Sequence, residues 1–289
     1  MFKGSMVALV TPFKNGSVDW KTLEALVDFH VDAGTDVLVP CGTTGESPTL
    51  THEENNEVIA KVAKRAKGRI PVLGGTGSNS TAEAIEMTLE ARKNGADGSL
   101  QVAPYYNKPT QEGLYQHFAA IAKAVDFPHV LYNIPGRCGV EIAADTIARL
   151  RKDFPNIVAV KHATGAMDSA SDLMSKSDIA ILSGDDSMTL PLMAIGGVGV
   201  VSVLANIVPK DVKALTDAAL GGDWDIARRW HHKMFKLAKG LLTLEVNPIP
   251  IKTAMAIKGM ISDEMRLPLT KMAPANREKL AAALTEYGL

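Results

Sequence analysis

Eight short apolar segments alternate with eight longer segments of helical period along most of this chain, and no other feature constrains its fold as strongly. The short segments are apolar at consecutive positions, which is typical of parallel strands that are buried on both faces. Strands are predicted at residues 6–10, 37–40, 71–74, 99–103, 130–133, 157–161, 179–183 and 199–203. Helices are predicted at residues 20–33, 51–66, 80–93, 111–124, 144–151, 167–175, 188–195 and 209–220.

This succession of strand-then-helix units predicts a (β/α)8 TIM barrel with an outer ring of helices. Capping patterns support the helix starts: Thr51 is followed by Glu54, and Ser80 by Glu83. A doubly wound open sheet is the alternative. It usually has fewer repeats, and no Gly-x-Gly-x-x-Gly follows the first strand.

The strand pattern stops after about residue 224, and three further helices are predicted at residues 225–242, 250–258 and 270–286. We therefore expect residues 1–224 to form the barrel with the active site. Residues 225–289 are expected to form a C-terminal helical appendage of three helices. No Gly-, Ser- or Pro-rich linker separates the two parts.

Composition narrows the possible partners and the compartment. The net charge is −1 with no long basic run, which argues against nucleic acid binding. No apolar stretch is long enough to span a bilayer, and the first residues do not resemble a signal peptide. Two cysteines, Cys41 and Cys138, give neither a disulfide framework nor a metal-ligand spacing, which favours the reducing cytoplasm.

No catalytic metal is expected, because neither His-Glu-x-x-His nor Cys-x-x-Cys occurs. The pair Asp185-Asp186 is interpreted as helix N-capping. In a TIM barrel the active site forms where the strands end. The residues expected to meet there are 42–46, 74–77, 104–106, 132–137, 161 and 184–186.

Lys161 is the most informative of these residues because it ends a buried strand. A lysine in an apolar barrel mouth has its pKa lowered by desolvation, and its neutral amine can attack a ketone to form an imine. The alternatives are a lysine paired with a carboxylate and one whose amine reaches solvent. Tyr132, at the neighbouring strand end, is a candidate proton donor, or else a core tyrosine with a satisfied hydroxyl.

Two further features suggest carboxylate binding. The turn Gly42-Thr43-Thr44-Gly45-Glu46 offers hydroxyls and backbone N–H groups to an anion, although it could instead cap the next helix. Arg137 follows the strand that ends in Tyr132. It could bind a substrate carboxylate through two hydrogen bonds, or it could be a surface arginine.

Together these residues resemble the dihydrodipicolinate synthase family, within the pyruvate-dependent Schiff-base aldolases of the N-acetylneuraminate lyase type. The resemblance covers essentially the whole chain. It rests on Val10-Thr11-Pro12-Phe13, Gly42-Thr43-Thr44-Gly45-Glu46-Ser47, Pro104-Tyr105-Tyr106-Asn107-Lys108-Pro109, Tyr132-Asn133-Ile134-Pro135-Gly136-Arg137, Val160-Lys161, Ser183-Gly184-Asp185-Asp186 and Asn247-Pro248-Ile249-Pro250.

The resemblance implies a lyase that condenses pyruvate with aspartate-β-semialdehyde to give 4-hydroxy-tetrahydrodipicolinate in lysine and diaminopimelate biosynthesis, with no cofactor beyond an imine on Lys161. The implied proton relay consists of Thr43, Tyr106 and Tyr132. Thr44 is expected to bind the carboxylate of pyruvate, and Arg137 that of the semialdehyde. Gly184 and Val201 complete the implied substrate-binding set.

The resemblance also implies a homotetramer, a dimer of dimers in which a neighbouring subunit supplies Tyr106. It also implies an inhibitor site for lysine at the dimer interface. The matching positions are Ser47, Pro48, His52, Asn55, Asn79, Glu83 and Tyr105; Asn55 and Pro48 depart from the common residues.

Two departures from the family pattern lie nearer the expected active site: His162 stands where the family usually has a glutamate, and Gly136 where serine is common. His162 is expected to point away from the barrel axis, because neighbouring strand residues face opposite sides.

A sister aldolase acting on a sugar acid or another aldehyde is the alternative activity, and Arg137 argues against it. A non-catalytic binding protein is a third hypothesis, which the intact set of Lys161, Tyr132, Thr43 and Tyr106 opposes.

Overall fold

Eight parallel strands form the centre of the structure, a computed structural model that describes residues 2–289. They are β1 (Gly4–Ala8), β4 (Val37–Val39), β5 (Leu73–Gly75), β6 (Gly98–Val102), β7 (His129–Asn133), β8 (Ile157–His162), β9 (Ala180–Ser183) and β10 (Gly199–Ser202). Their order is β4-β1-β10-β9-β8-β7-β6-β5, and a parallel bridge between Leu38 and Val72 joins the two ends. The sheet closes on itself, so the predicted TIM barrel is confirmed.

Helices follow the strands in the expected alternation. They are α1 (Trp20–Asp32), α2 (His52–Ala66), α3 (Thr81–Lys93), α4 (Gln111–Ala124), α5 (Pro135–Cys138), α6 (Ala144–Asp153), α7 (Met167–Lys176), α8 (Thr189–Ala194) and α9 (Pro209–Leu220). The capping box at α2 is present: Glu54 N donates to Thr51 Oγ1 at 3.2 Å, and Thr51 N to Glu54 Oε2 at 3.0 Å. The single turn α5 was not predicted.

A short antiparallel hairpin after β1 was also not predicted. It consists of β2 (Phe13–Lys14) and β3 (Ser17–Val18), and its turn residues Asn15 and Gly16 both have positive φ. An Asn-Gly dipeptide is a strong signal for such a turn, so the sequence did carry the information.

The barrel interior is apolar over most of its height. Met6, Leu73, Leu100 and Val130 are among the buried side chains that fill it. A second apolar layer lies between the strands and the surrounding helices.

The chain ends in three helices that pack on the barrel: α10 (Trp224–Thr243), α11 (Ile249–Ile257) and α12 (Pro274–Tyr287). Nearly every residue of α11 is buried, while α10 and α12 bury one face each. The division of the chain into domains at residue 224 stays a prediction. None of the helices between residues 2 and 289 is both long and apolar enough to cross a membrane.

Candidate active site

Lys161 points into the barrel near the end of β8. It pairs in register with Tyr132 on β7 and Leu182 on β9, and both of these side chains belong to the interior cluster. Only 6% of Lys161 is exposed. Burial lowers its pKa to about 7; Asp186 acts against this shift and Arg137 reinforces it. A large fraction of the amine is therefore neutral at neutral pH, as a nucleophile requires.

Gly184, at the end of β9, leaves room for this lysine. A Cβ atom at position 184 would lie 3.2 Å from Lys161 Cε and 2.6 Å from Ala163 Cβ. Both separations are shorter than ordinary carbon contacts. The absence of a side chain at position 184 therefore allows the Lys161 side chain its observed path.

Tyr132 lies beside the amine. Lys161 Nζ is 4.1 Å from the centre of its ring, and only 5% of the tyrosine is exposed. Burial raises the pKa of Tyr132 to about 12, although Arg137 and a hydrogen bond with Thr43 oppose that shift. The hydroxyl therefore stays protonated at neutral pH and is partnered by Thr43, so that it can donate or pass a proton.

The turn that contains Thr43 and Thr44 follows β4. It is one turn of 3-10 helix, in which Gly45 N donates to Gly42 O at 3.0 Å and Glu46 N to Thr43 O at 3.1 Å. Thr44 is 3% exposed, and its Oγ1 accepts a hydrogen bond from Asn247 Nδ2 at 3.0 Å. Because Thr51 caps α2, the turn is not needed as a helix cap and remains available to a ligand.

Arg137 lies on α5 at the mouth of the barrel. Its side chain is exposed, and its Nη2 donates to the backbone oxygen of Asn247 at 3.0 Å. Its charge lowers the pKa of both Lys161 and Tyr132. Arg137 and Tyr132 line the same cavity, so the guanidinium can interact with a substrate bound there.

A cavity of about 360 Å³ opens at this end of the barrel. Its lining includes Thr43, Tyr132 and Arg137, and also most of the positions matched to the inhibitor site: Ser47, Pro48, His52, Asn55, Glu83 and Tyr105. Lys161 and Thr44 are not among the residues that line it. Throughout the described residues, no group of three or more His, Cys, Asp or Glu side chains is arranged to hold a metal ion.

The chain matches one protein family over nearly its whole length. The profile of the Dihydrodipicolinate synthetase family matches residues 1–287. The chain belongs to this family.

Relatives and solved structures that carry the name of this family are similar to the chain over its full length. The 4-hydroxy-tetrahydrodipicolinate synthase of Geotalea uraniireducens is 54% identical over 291 residues, which cover 100% of both chains. The dihydrodipicolinate synthase structure from Aquifex aeolicus has a TM-score of 0.98 at 52% identity, covering 100% of this chain and 99% of that one. The chloride-inhibited enzyme of Acinetobacter baumannii, complexed with pyruvate, has a TM-score of 0.97 at 47% identity, with 100% and 99% coverage.

Besides Lys161 and Thr44, four of the residues predicted from this family lie outside the cavity lining: Tyr106, Gly184, Val201 and Asn79. Tyr106 is 90% exposed with a positive φ of 73°, and it does not line its own chain's cavity. Val201, on β10, is 1% exposed among the apolar side chains inside the barrel. The Nδ2 of Asn79 donates a hydrogen bond of 3.0 Å to the backbone oxygen of Tyr105, which does line the cavity.

The family departure at position 162 has the predicted orientation. His162 lies on the helix side of β8, where its Nε2 is 3.3 Å from the hydroxyls of Ser169 and Thr164. The departure at Gly136 leaves open space, since a Cβ there would meet nothing within 4 Å. Neither departure changes the surroundings of the Lys161 amine.

The interpretation of Asp185-Asp186 as an N-cap needs a correction for one of the two residues. Asp185 does cap its own turn, accepting from Ser187 N at 2.8 Å. Asp186 instead turns inward and accepts from Val203 N and Leu204 N, each at 3.0 Å. It thereby stabilises the end of β10, and its negative charge favours the protonated form of Lys161.

Sequence reasoning missed two polar side chains from the C-terminal helical segment. Asn247 contacts both Thr44 and Arg137, and Lys252 forms a buried ion pair with Glu46. The motif Asn247-Pro248-Ile249-Pro250 contributed to the resemblance, but nothing local in the sequence indicated what Asn247 contacts. Lys252 carried one signal: it is a charged residue within an otherwise apolar helix.

Proposed function

We propose that Lys161 carries pyruvate as an imine and that this chain condenses it with aspartate-β-semialdehyde. The chain is a lyase, a 4-hydroxy-tetrahydrodipicolinate synthase of lysine and diaminopimelate biosynthesis. The observation that carries the proposed mechanism is the buried amine of Lys161, with its pKa lowered to about 7, beside the Tyr132 ring. The full-length identity to enzymes of this name supports the substrates.

The chemistry begins with attack of the neutral Lys161 amine on the keto carbon of pyruvate. Tyr132 donates a proton to the oxygen, water leaves, and the imine forms. Loss of a proton from the methyl group gives an enamine, whose carbon attacks the aldehyde of the second substrate. The amine of that substrate then attacks the imine carbon and displaces Lys161, which closes the ring and frees the enzyme.

Binding and proton transfer are assigned to the residues around the amine. Thr44 and the backbone N–H groups of its turn bind the carboxylate of pyruvate. Arg137 binds the carboxylate of the semialdehyde by a charge-assisted contact. Gly184 and Val201 flank the bound pyruvate inside the barrel. Thr43 links Tyr132 to the relay that ends at Tyr106; the Thr43–Tyr132 hydrogen bond supports this assignment.

A parallel assay with two aldehydes tests the activity. Pyruvate is supplied with either aspartate-β-semialdehyde or N-acetylmannosamine, and the consumption of each aldehyde is followed. We expect turnover with the semialdehyde alone, and its abolition in Lys161→Ala. Turnover with N-acetylmannosamine alone would instead establish the sister aldolase. An Arg137→Ala variant should weaken the use of the semialdehyde much more than imine formation with pyruvate.

The quaternary structure and the compartment extend this proposal. We assign the chain to the cytoplasm and to a homotetramer built from two dimers. The exposed side chain of Tyr106, which does not line its own chain's cavity, supports its donation to a neighbouring subunit. Both cysteines are free and buried, which fits a reducing compartment.

Lysine is the proposed inhibitor, bound at the inhibitor-site positions that line the cavity. His52 Nε2 lies 2.8 Å from Glu83 Oε1, and Glu83 also accepts a hydrogen bond from Ser78. The buried Oδ1 of Asn55 has no partner among the described residues. Glu83 and Asn55 can therefore both accept from a ligand ammonium. Millimolar lysine should reduce activity, and less so in Glu83→Gln; no loss in the wild type would contradict the proposal.

A further inference from the structure

A buried ion pair connects the active-site turn to the C-terminal helices. Lys252 on α11 is 0% exposed, Glu46 is 1% exposed, and Lys252 Nζ donates to Glu46 Oε1 at 2.5 Å. The other carboxylate oxygen of Glu46 accepts from the backbone N–H of Arg266 at 3.1 Å. Both oxygens of this carboxylate are therefore held by residues 252–266.

Glu46 is also the residue at which the turn ends. Its backbone is left-handed, with φ 55° and ψ 35°, a conformation that is uncommon for residues other than glycine. Such a conformation persists only where the surrounding contacts hold it. The contacts that fix the Glu46 side chain therefore also fix the path of the backbone through Thr43 and Thr44.

The same C-terminal segment contacts the substrate side of the turn. Asn247 stands just before α11, donates to Thr44 Oγ1 at 3.0 Å and accepts from Arg137 at 3.0 Å. The start of α11 is thus tied to the threonine proposed to bind pyruvate, and Lys252, further along this helix, is tied to Glu46. A shift of α11 relative to the barrel would move the turn at both points.

We propose that Glu46 and Lys252 are positioning residues for pyruvate. They touch no substrate; by anchoring the turn to α11 they hold Thr44 and the neighbouring N–H groups where the carboxylate of pyruvate binds. This inference rests on the proposed function of Lys161 and Thr44. Removing one partner also leaves a buried charge unpaired, which is destabilising in itself, so binding has to be separated from stability.

The test is borohydride trapping of pyruvate on the intact enzyme, measured as the pyruvate concentration that gives half-maximal labelling of Lys161. The variants are Glu46→Gln, Lys252→Met and the double variant. We expect all three to need at least about tenfold more pyruvate, since small misplacements of binding groups are costly. The double variant leaves no charge unpaired, so it should recover thermal stability relative to Lys252→Met without recovering pyruvate binding.

The control is Lys213→Met. Lys213 Nζ lies 3.4 Å from Asp36 Oδ1, next to the start of β4 and so at the opposite end of the barrel. This substitution should leave half-maximal labelling unchanged even if it lowers the melting temperature.

Two results separate this inference from the proposed function. If the double variant binds pyruvate like the wild type, the pair is only structural and the inference is wrong. If the wild type itself is not labelled at Lys161, the proposed function fails first.

Discussion

The amine of Lys161 lies 4.1 Å from the centre of the Tyr132 ring, and the two residues are paired in register on adjacent strands. A charged lysine would also be attracted to the face of such a ring by a cation–π interaction. Desolvation changes that expectation, because it lowers the pKa of this amine to about 7. The relationship therefore brings together a nucleophile that is partly neutral and a phenol that stays protonated.

A second buried lysine in the same barrel shows what the first one lacks. Lys252 is fully buried beside the carboxylate of Glu46, so its charge is compensated. Among residues 2–289, no carboxylate lies within ion-pair distance of Lys161. A buried lysine that has no acidic partner favours the neutral form, and this difference separates the candidate nucleophile from the anchoring residue.

The pH dependence of imine formation follows from the lowered pKa of Lys161. The amine is protonated below a pH of about 7 and neutral above it. The rate constant for imine formation at low pyruvate should therefore fall about tenfold per pH unit on the acid side and level off on the alkaline side. Rapid-mixing measurements across this range check it; a midpoint near the ordinary lysine value of 10.5 would contradict the assignment.

Removing the hydroxyl of Tyr132 should slow the chemistry while leaving the fold intact. We expect Tyr132→Phe to lower kcat by roughly 10²–10⁴-fold, the usual contribution of a positioned proton donor. The matched control is Tyr115→Phe, because Tyr115 lies on α4 and donates to Asp153 at 2.8 Å, away from the barrel mouth. Equal activity of the two variants would remove Tyr132 from the mechanism.

A methyl group at position 184 should displace the nucleophile. Because that Cβ would lie 2.6 Å from Ala163 Cβ, Gly184→Ala should destabilise the protein by about 1–3 kcal/mol and reduce imine formation strongly. Gly136→Ala is the control, since a Cβ there meets nothing within 4 Å. Denaturant unfolding and borohydride labelling of both variants check the prediction, which fails if Gly184→Ala is labelled normally.

Subunit mixing tests whether Tyr106 acts on a neighbouring chain. Lys161→Ala and Tyr106→Phe should each be poorly active alone. A mixed dimer, however, contains one site with Lys161 from one chain and Tyr106 from the other. Co-refolding equal amounts should restore about a quarter of the wild-type activity if the dimers form at random. If Tyr106 acts within its own chain, mixing will restore nothing.

The barrel was predictable because its signals are local. Consecutive apolar residues mark the strands, and Thr51 with Glu54 marks the start of α2; each strand end then follows from the connectivity. The turn Gly42–Glu46, Tyr132, Arg137 and Lys161 were therefore placed at one end of the barrel from the sequence. The hairpin at Asn15-Gly16 was missed although its turn signal was present.

Other contacts could not be predicted because they join distant parts of the chain. Glu46 and Lys252 are 206 residues apart, and Thr44 and Asn247 are 203 residues apart. No spacing rule relates such pairs, since their meeting depends on how α11 packs on the barrel. The sequence also could not show that Asp186 turns inward while its neighbour Asp185 caps a helical turn.

Borohydride trapping at Lys161 tests the central claim most directly. Pyruvate and borohydride are added to the intact enzyme and to Lys161→Ala, and the modified peptide is located by mass spectrometry. The account predicts one 1-carboxyethyl group per wild-type chain, carried by Lys161, and none on the variant. Labelling at another lysine, or equal labelling of the Lys161→Ala variant, would contradict it.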